Sequence, residues 1–335
     1  MGGLRQALAL VLAVAVAVAA GCGGASRPSS RASPRAAAQA AARAFLDRYV
    51  DPDGRVVRRD QGGDTVSEGQ AYALLAAVAA GDRARFDRVW AWTQAHLRRA
   101  DGLLSWHWAG GKIADPEASA DADLDVAHAL LLGAARFREP PLKAQARRIA
   151  DAMRAHEIRG GVLLAGPWAT QRGIANPSYF DPRGLAALHM DDVAVATRRT
   201  VAALVGPGGR TPTDWATVGP PPAPAGPSGG PGAPAYGFDA ARLPIRLAAS
   251  CDPQDRRLAA SLRGLERAAP TTHPVFTVAR AAQAAAAGDA TAAGRLLDDA
   301  AEQERRSPTY YGAAWTALGR ALLQTDLLGG CPERR

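Results

Sequence analysis

The stretch from Ser67 to Leu97, SEGQAYALLAAVAAGDRARFDRVWAWTQAHL, decides the fold. Its apolar residues recur at spacings of three and four on both sides of a central break, which predicts two α-helices, Ser67–Ala80 and Arg83–Leu97. At the break, Gly81 suits a helix end in the left-handed conformation, and Asp82 suits the N-cap of the next helix. The stretch therefore predicts a helical hairpin.

The same pattern recurs along the chain, whereas the alternation typical of strands is scarce. A second Gly-Asp break, Gly288-Asp289, separates another pair of helices. The other predicted helices are Ala37–Val50, Asp121–Phe137, Pro141–His156, Arg183–Leu204, Phe238–Ser250, Pro253–Ala268, His273–Ala287, Ala290–Arg305 and Thr309–Leu328. Consecutive hairpins either stack as an open solenoid or close into a ring, and no fixed repeat of about 30 to 45 residues is present. We therefore predict one large all-α domain, a closed toroid of helical hairpins.

The composition excludes two broad classes of protein. With 47% hydrophobic and 21% charged residues, most of the chain has enough apolar surface for a core and is not expected to be disordered. The net charge is +8, but only Lys112 and Lys143 are lysines, which indicates a base-composition bias toward Arg. No dense basic run occurs outside the N-terminal stretch that contains Arg27, Arg31 and Arg35. We expect no nucleic-acid partner.

The first 22 residues have the layout of an export signal. Arg5 precedes an apolar run from Ala7 to Ala20, and Gly21-Cys22 follows it. The run is shorter than the roughly 18 to 20 residues that span a bilayer. We predict a signal peptide at residues 1–21 and a flexible tether, rich in Ser, Arg, Pro and Ala, at residues 22–37.

The three cysteines carry two further expectations. Small residues before Cys22 resemble a bacterial lipoprotein box, so lipidation of Cys22, which would tether the protein to a membrane, and plain secretion are both open. Either one predicts an exported protein, extracellular or held at the cell surface. If Cys22 carries a lipid, Cys251 and Cys331 remain as an even pair in an oxidising compartment, where a disulfide and two unpaired thiols are both open.

Three long segments lack a helical pattern, namely Asp51–Val66, Gly102–Ala120 and Gly206–Gly237. Irregular loops of more than about 15 residues in a compact domain usually serve a site. A carboxylate follows each segment at a predicted helix start: Glu68, Asp121 and Asp239. In a helical toroid alternate loops open on the same face, so we expect the three carboxylates to converge there.

Seven short segments carry a family resemblance. In chain order they are Val66–Tyr72 (VSEGQAY), Leu103–Trp108 (LLSWHW), Asp121–Ala127 (DADLDVA), Asn176–Phe180 (NPSYF), Asp214-Trp215, Phe238–Arg242 (FDAAR) and Tyr310–Gly312 (YYG). Together they resemble glycoside hydrolase family 8 over roughly residues 40 to 328. Within that family, the shortness of the chain suggests the bacterial cellulose-synthase-associated endoglucanases. The resemblance implies an (α/α)6 barrel, which agrees with the predicted toroid, and a catalytic domain at residues 38–335.

The resemblance also implies roles for the acidic residues. Glu68 matches the general acid that protonates the leaving sugar, and Asp239 matches the general base that activates the attacking water. A general acid must keep its proton, so burial or a neighbouring carboxylate such as Asp121 has to outweigh the helix dipole, which favours charged Glu68. An inverting pair is separated by about 6.5 to 9.5 Å. Arg242, one turn after Asp239, is expected to hold that carboxylate ionised or to contact a sugar hydroxyl.

Two more positions match residues that handle substrate. Asp121 matches the carboxylate that grips and distorts the sugar, and Tyr179 matches a tyrosine that hydrogen-bonds the attacking water. Because positions i and i+2 of a helix point apart, at most one or two of Asp121, Asp123 and Asp125 can face the site. We expect Asp121 to face it, and Asp125, one turn beyond, to support the site from behind or to face solvent. The family usually has Ser or Thr before the first Asp, whereas this chain has Ala120, which lacks the hydroxyl.

Sugar rings present apolar faces, so a glycan groove needs flat aromatic walls. Candidates in loop-like stretches or at helix starts are Trp106, Trp108, Trp168 and Tyr311. Trp90, Trp92 and Trp315 are expected in the core. No ligand at metal-binding spacing accompanies His107, so we predict no metal site, and the implied mechanism needs no cofactor.

These inferences predict an exported, inverting endo-β-1,4-glycanase, an endoglucanase that acts as a monomer on cellulose-like β-1,4-glucan. Chitosan, mixed-linkage glucan and xylan stay open as substrates within the family. A glycan-binding accessory toroid without turnover also stays open, and Ala120 and the Pro- and Gly-rich approach to Asp239 favour it. The presence of both Glu68 and Asp239 favours the enzyme.

Overall fold

The computed structural model describes residues 32–267 and 272–331. These ranges contain twelve α-helices: α1 (Pro34–Tyr49), α2 (Ser67–Ala80), α3 (Arg83–His96), α4 (Ala120–Arg136), α5 (Pro141–His156), α6 (Pro182–Ala187), α7 (Asp191–Val205), α8 (Arg242–Ala249), α9 (Pro253–Ser261), α10 (Pro274–Ala286), α11 (Ala290–Arg306) and α12 (Tyr310–Gln324). Most of the described core is therefore helical, as the apolar spacing predicts.

The even-numbered helices form a closed inner ring. Helix α2 contacts α4, α4 contacts α6, and the contacts continue through α8 and α10 to α12, which returns to α2. Helices α3, α5, α7, α9 and α11 each pack outside against the inner helix that precedes them, and α1 packs against α2 and α12. This arrangement is an (α/α)6 barrel, so the predicted toroid of six hairpins is confirmed.

Helix α2 illustrates why an Ala-rich sequence suits the inner ring. Of its residues, only Glu68 and Ala80 are not fully buried, because inner helices are enclosed on nearly every side. Gly81 ends the helix at a φ of 72°, and the Asp82 side chain accepts a hydrogen bond from the Arg85 amide. The hairpin predicted from this stretch is confirmed.

Some predicted boundaries differ from the structure. Residues 34–37, predicted as tether, form the first turn of α1. The helix predicted at Arg183–Leu204 is two helices, because His189 has a φ of 58° that an α-helix does not accommodate. Helix α8 starts at Arg242 rather than Phe238, so Asp239 lies in the turn before the helix.

The long segments without helical pattern contain short antiparallel strands. These are β1 (Thr65–Val66), β2 (Ser105–Ala109), β3 (Lys112–Ala118), β4 (Ile158–Arg159), β5 (Val162–Leu163), β6 (Ile174–Ala175), β7 (Trp215–Thr217) and β8 (Ala223–Ala225). They form sheets in the orders β1-β2-β3, β4-β5 and β6-β7-β8. Because β1 leads into α2 and β3 leads into α4, the first sheet stands at the N-terminal ends of two inner helices.

Cys251 and Cys331 form a disulfide with Cα atoms 5.3 Å apart, which links the segment after α8 to the segment after α12. Of the two states left open for this pair, the structure contains the bonded one. Cys22, the predicted signal peptide and most of the predicted tether lie outside the described residues. No helix within residues 32–267 or 272–331 is both long and apolar enough to cross a membrane.

Candidate active site

One buried guanidinium holds three carboxylates together at one end of the barrel. Nη1 of Arg242 lies 2.9 Å from Glu68 Oε2 and 2.7 Å from Asp121 Oδ2, and Nη2 lies 2.8 Å from Asp239 Oδ1. Nη1 also donates to the Tyr72 hydroxyl at 3.1 Å. The three carboxylates predicted to converge therefore meet at Arg242.

The barrel brings these side chains to one face because each stands at the start of an inner helix. Glu68 lies in the first turn of α2, Asp121 in the first turn of α4, and Arg242 is the first residue of α8. Asp239 lies three residues before Arg242, in the turn that enters α8. Arg242 is fully buried, whereas Glu68 and Asp239 keep 21% and 31% of their side-chain surface exposed, as groups that meet a substrate must.

The cluster contains three acids and one fixed cation, so it favours retention of a proton. Burial is the main cause that raises the pKa of Glu68, to about 8, and the Asp121 and Asp239 charges add to it. The Arg242 and Arg58 charges act in the opposite direction. Burial and the neighbouring carboxylates thus outweigh the two arginines, which favours a protonated Glu68 near neutral pH.

Asp239 is held as a hydrogen-bond acceptor on both oxygens. Arg242 donates to Oδ1, and Asn176 Nδ2 donates to Oδ2 at 2.9 Å. Burial raises the pKa of Asp239, and the Asp121 charge raises it further, while Arg242 and the Asn176 hydrogen bond lower it. Donors on both oxygens stabilise the ionised form that a general base needs.

Asp214, the first residue of the Asp214-Trp215 motif, anchors the turn that carries Asp239. Asp214 Oδ1 accepts hydrogen bonds from the amides of Gly237 at 3.1 Å and Ala240 at 2.7 Å. A Cβ atom at Gly237 would lie 2.2 Å from Asp214 Oδ2, so only glycine fits beside this carboxylate. The sequence predicts no role for Asp214 or for Asn176, the first residue of the NPSYF motif; the side-chain amide of Asn176 is the feature that suits it to hold a carboxylate.

The hydroxyl missing at Ala120 comes from the preceding residue. Ser119 Oγ donates to Asp121 Oδ1 at 2.6 Å and lies 3.3 Å from the Tyr179 hydroxyl. The Tyr179 ring packs on the guanidinium of Arg242, with 5.2 Å between the guanidinium carbon and the ring centroid. Ala120 therefore does not remove the hydroxyl from the site.

The other two acids of the DADLD stretch have partners other than Arg242. Asp125 makes a two-point ion pair with Arg246, with both distances 2.7 Å. Asp123 accepts from the Leu104 amide and faces Glu157, and both carboxyl groups are fully buried. Asp121 is thus the member of the stretch that contacts Arg242, as expected, while Asp125 lies one turn behind it.

A groove of about 510 Å³ lies beside the cluster and has aromatic walls. Its lining includes Trp106, Trp168, Tyr179 and Trp215, together with Asp115 and Glu117. Trp106 and Trp168, which the sequence predicts as sugar-binding rings, both line this groove. Trp215, which follows Asp214, is not among the groove rings predicted from the sequence. Its ring centroid lies 6.1 Å from that of Trp168.

Trp108 does not follow that prediction. Its ring packs against Trp92 and His96 of α3, at centroid distances of 5.7 and 4.9 Å. Two residues apart on a regular strand, Trp106 and Trp108 would share a face, but the pairing of β2 with β3 is irregular between them. The bulge turns Trp106 toward the groove and Trp108 toward the helix.

The remaining predicted aromatic residues divide between site and core. The Tyr311 hydroxyl donates to the carbonyl of Phe238, the residue before Asp239, at 3.2 Å. Trp90, Trp92 and Trp315 are buried in the core, as predicted. Within the described ranges, no group of three or more His, Cys, Asp or Glu side chains is arranged to hold a metal ion.

Comparison with known proteins identifies a family and several relatives of this chain. The family model of glycosyl hydrolases family 8 matches residues 12–223. An endoglucanase of Pseudomonas fluorescens is 36% identical over 154 residues, which are 40% of this chain and 38% of the relative. A probable endoglucanase of Novacetimonas hansenii is 38% identical over 133 residues, 37% of this chain and 36% of the relative. The match thus spans less than two fifths of the length of these curated relatives.

Solved structures share the fold over most of the chain. The endoglucanase Cel10 of Klebsiella pneumoniae has a TM-score of 0.64 at 22% identity, covering 84% of this chain and 97% of its own. The endo-β-1,4-glucanase CMCax of Acetobacter xylinum has a TM-score of 0.64 at 24% identity, covering 87% and 99%.

The family match includes Glu68, Asp121 and Tyr179, whereas Asp239 and Arg242 lie beyond residue 223 and join the site through their contacts. The matched residues, the closed ring of inner helices and the carboxylate cluster agree with one another. The chain therefore belongs to glycosyl hydrolases family 8.

Proposed function

We propose that this protein hydrolyses internal β-1,4 bonds of a glucan with inversion of configuration, with Glu68 as general acid and Asp239 as general base. The observation that carries the proposal is the Arg242 cluster. It leaves Glu68 protonated near neutral pH and gives Asp239 a donor on each oxygen, beside a groove with aromatic walls.

The reaction follows from the two protonation states. Glu68 gives its proton to the glycosidic oxygen as the bond from that oxygen to the anomeric carbon breaks. A water molecule attacks the anomeric carbon from the opposite face, and Asp239 takes one of its protons. The products are two shorter glycans, and the cluster regains its starting state when the proton passes from Asp239 back to Glu68 through solvent.

The placement of the two acids is compatible with inversion. Glu68 Oε2 and Asp239 Oδ1 lie 2.9 and 2.8 Å from different nitrogens of the same guanidinium. These contacts permit the separation of about 6.5 to 9.5 Å that an inverting pair needs to hold a water molecule.

The aromatic walls support a neutral β-1,4-glucan as the substrate, because such chains expose flat apolar ring faces. A second candidate substrate is chitosan, which carries amino groups. Asp115, Glu117 and Arg172 line the same groove as the tryptophans, so a cationic sugar would find two carboxylates and one guanidinium there. The comparison of a neutral and a cationic polymer distinguishes the two.

We further propose that the protein is exported and held at the cell surface through lipidated Cys22. The apolar N-terminal run and the residues before Cys22 support export. The Cys251–Cys331 disulfide agrees with an oxidising compartment. Fractionation of bacteria that express the wild-type chain and a Cys22→Ser variant tests this proposal, since loss of the lipid should release the protein from the membrane fraction.

The decisive experiment measures reducing-sugar release by the purified protein on carboxymethylcellulose, barley glucan, xylan and chitosan. Glu68→Gln and Asp239→Asn should abolish release on the preferred polymer, whereas Glu302→Gln, the same chemical change on the outer helix α11, should leave it unchanged. Proton NMR of the first products should show the α-anomer, and viscosity should fall faster than reducing ends appear. A folded wild-type protein that binds a polymer without cleaving it would favour the glycan-binding accessory reading.

A further inference from the structure

The hydroxyl of Ser119 has one proton and two partners. Its oxygen lies 2.6 Å from Asp121 Oδ1 and 3.3 Å from the oxygen of Tyr179. The Asp121 carboxylate also accepts hydrogen bonds from the Ala122 amide and from Arg242, so Ser119, like these two, acts as a donor to it. The short, charge-assisted bond to Asp121 is the stronger of the two, and it takes the Ser119 proton.

The contact with Tyr179 then has a fixed direction. Because the Ser119 proton points to Asp121, the Tyr179 hydroxyl is the donor in the 3.3 Å contact and the Ser119 oxygen is the acceptor. Burial and the neighbouring Asp121 and Asp239 charges raise the pKa of Tyr179 well above its ordinary value, so Tyr179 keeps that proton. Its oxygen retains free lone pairs, and the residue lines the groove.

We propose that Ser119 is a positioning residue, which turns the Tyr179 hydroxyl proton away from the groove so that Tyr179 accepts a hydrogen bond from the attacking water. The water then has a place for each proton: one points to Tyr179 and stays on the oxygen, and the other passes to Asp239. The lone pair that forms the new bond is left facing the anomeric carbon. This inference rests on the proposed hydrolysis and adds the element that orients the nucleophile.

Ser119 is well suited to a test because its side chain does not cap the helix that it precedes. It is the N-cap residue of α4 but makes no capping hydrogen bond to the helix, so truncation leaves the cap unchanged. Its backbone is extended, with φ of −126° and ψ of 114°, which β-branched residues adopt readily. Threonine therefore preserves the hydroxyl, while alanine removes it.

The experiment compares wild type with Ser119→Ala, Ser119→Thr, Tyr179→Phe and the double variant Ser119→Ala/Tyr179→Phe. For each protein, kcat and KM are measured on the polymer that wild type cleaves, and melting temperature reports folding. We expect Ser119→Ala to lower kcat about tenfold with little change in KM, and Ser119→Thr to stay within about threefold of wild type. The double variant should be no slower than Tyr179→Phe alone, because Ser119 acts through the tyrosine hydroxyl.

Three results would overturn the inference: an unchanged kcat for Ser119→Ala, a loss in Ser119→Thr as large as in Ser119→Ala, or losses that multiply in the double variant. If Ser119→Ala does not fold, Ser119→Thr and Tyr179→Phe still decide, because the threonine variant must retain turnover that the phenylalanine variant loses. A wild-type protein without turnover on any polymer would overturn the proposed function together with this inference. An active wild type with an unaffected Ser119→Ala overturns this inference alone.

Discussion

Replacement of Asp121 by Asn should move the pH dependence of the enzyme to lower pH. Asp121 Oδ2 and Glu68 Oε2 lie 2.7 and 2.9 Å from the same nitrogen of Arg242, so the two oxygens are at most about 5.6 Å apart. At an effective dielectric constant of about 20, two unit charges at this separation repel by about 3 kcal/mol. Loss of the Asp121 charge should therefore shift the titration of Glu68 down by about two pH units.

The assay is kcat/KM on the preferred polymer as a function of pH, because this ratio reports the ionisable groups of the free enzyme. In wild type the alkaline limb, where Glu68 loses its proton, should lie near pH 8, the value set by burial of Glu68 and its neighbouring carboxylates. In Asp121→Asn that limb should move down by about two pH units. Since the Asp121 charge also raises the pKa of Asp239, the acid limb should move in the same direction.

The position of the limbs separates this effect from any role of Asp121 in gripping the sugar, which changes the height of the profile instead. Glu117→Gln is the matched control, since it also removes one negative charge from the groove but at an exposed position where water screens it. A profile that keeps its alkaline limb in Asp121→Asn, or moves it upward, would show that Asp121 does not set the protonation of Glu68.

Three other perturbations test separate contacts. Burial and the Asp123 charge hold the pKa of Glu157 well above its usual value of 4.5. Above that pH the folded state retains a proton that the unfolded chain has released, so this group lowers the unfolding free energy by up to about 1.4 kcal/mol per pH unit. In urea melts between about pH 5 and pH 8, Glu157→Gln should make the fall in stability shallower by up to this amount, while Glu68 and Asp123, whose pKa values are also raised, maintain the rest. Replacement of both Cys251 and Cys331 by Ser releases a constraint between residues 80 positions apart. It should cost about 4.5 kcal/mol and about 7 °C in Tm, measured by calorimetry. Gly237→Ala places a Cβ against Asp214 and should lower kcat about a hundredfold, because the turn that carries the general base must shift, while Tm falls by only a few degrees.

Each of these three has a control in the same chain. Glu302→Gln alters an exposed carboxyl and should keep the wild-type slope. Wild type under reducing conditions should melt like the double serine variant. Gly208→Ala adds a methyl group where no atom lies within 4 Å of the new Cβ, and its kcat should equal that of wild type. An unaltered pH slope, an unaltered Tm or an unaltered kcat in the test variant would contradict the corresponding reasoning.

Helix periodicity and the order of the motifs suffice to predict the barrel and the convergence of its acids. Glu68 and Asp121 each stand at the start of a helix with a strong apolar pattern, so their common face follows from the closed ring. The structure confirms that ring, while the catalytic roles of these residues remain predictions that the assays above decide.

Features that depend on irregular backbone could not be predicted in this way. The bulge that separates Trp106 from Trp108 reverses one side chain without altering the residue pattern, so both rings are predicted for the groove. Ser119 supplies a hydroxyl one position earlier than the family pattern leads one to expect, which only the extended backbone before α4 reveals. The contact between Asp123 and Glu157 joins residues 34 positions apart and has no local signal.

Closure of the inner ring also constrains the order in which the chain can fold. Helix α12 is the last inner helix in chain order, yet it packs against both α1 and α2, the first two helices. The ion pair between Arg35 and Asp326 joins α1 to the segment after α12. Without α12 the apolar flanks of the first hairpin are exposed, so the early helices depend on a partner more than 200 residues later for their burial. Docking of α12 is therefore the step that closes the ring and completes the burial of the helices that come first in the chain.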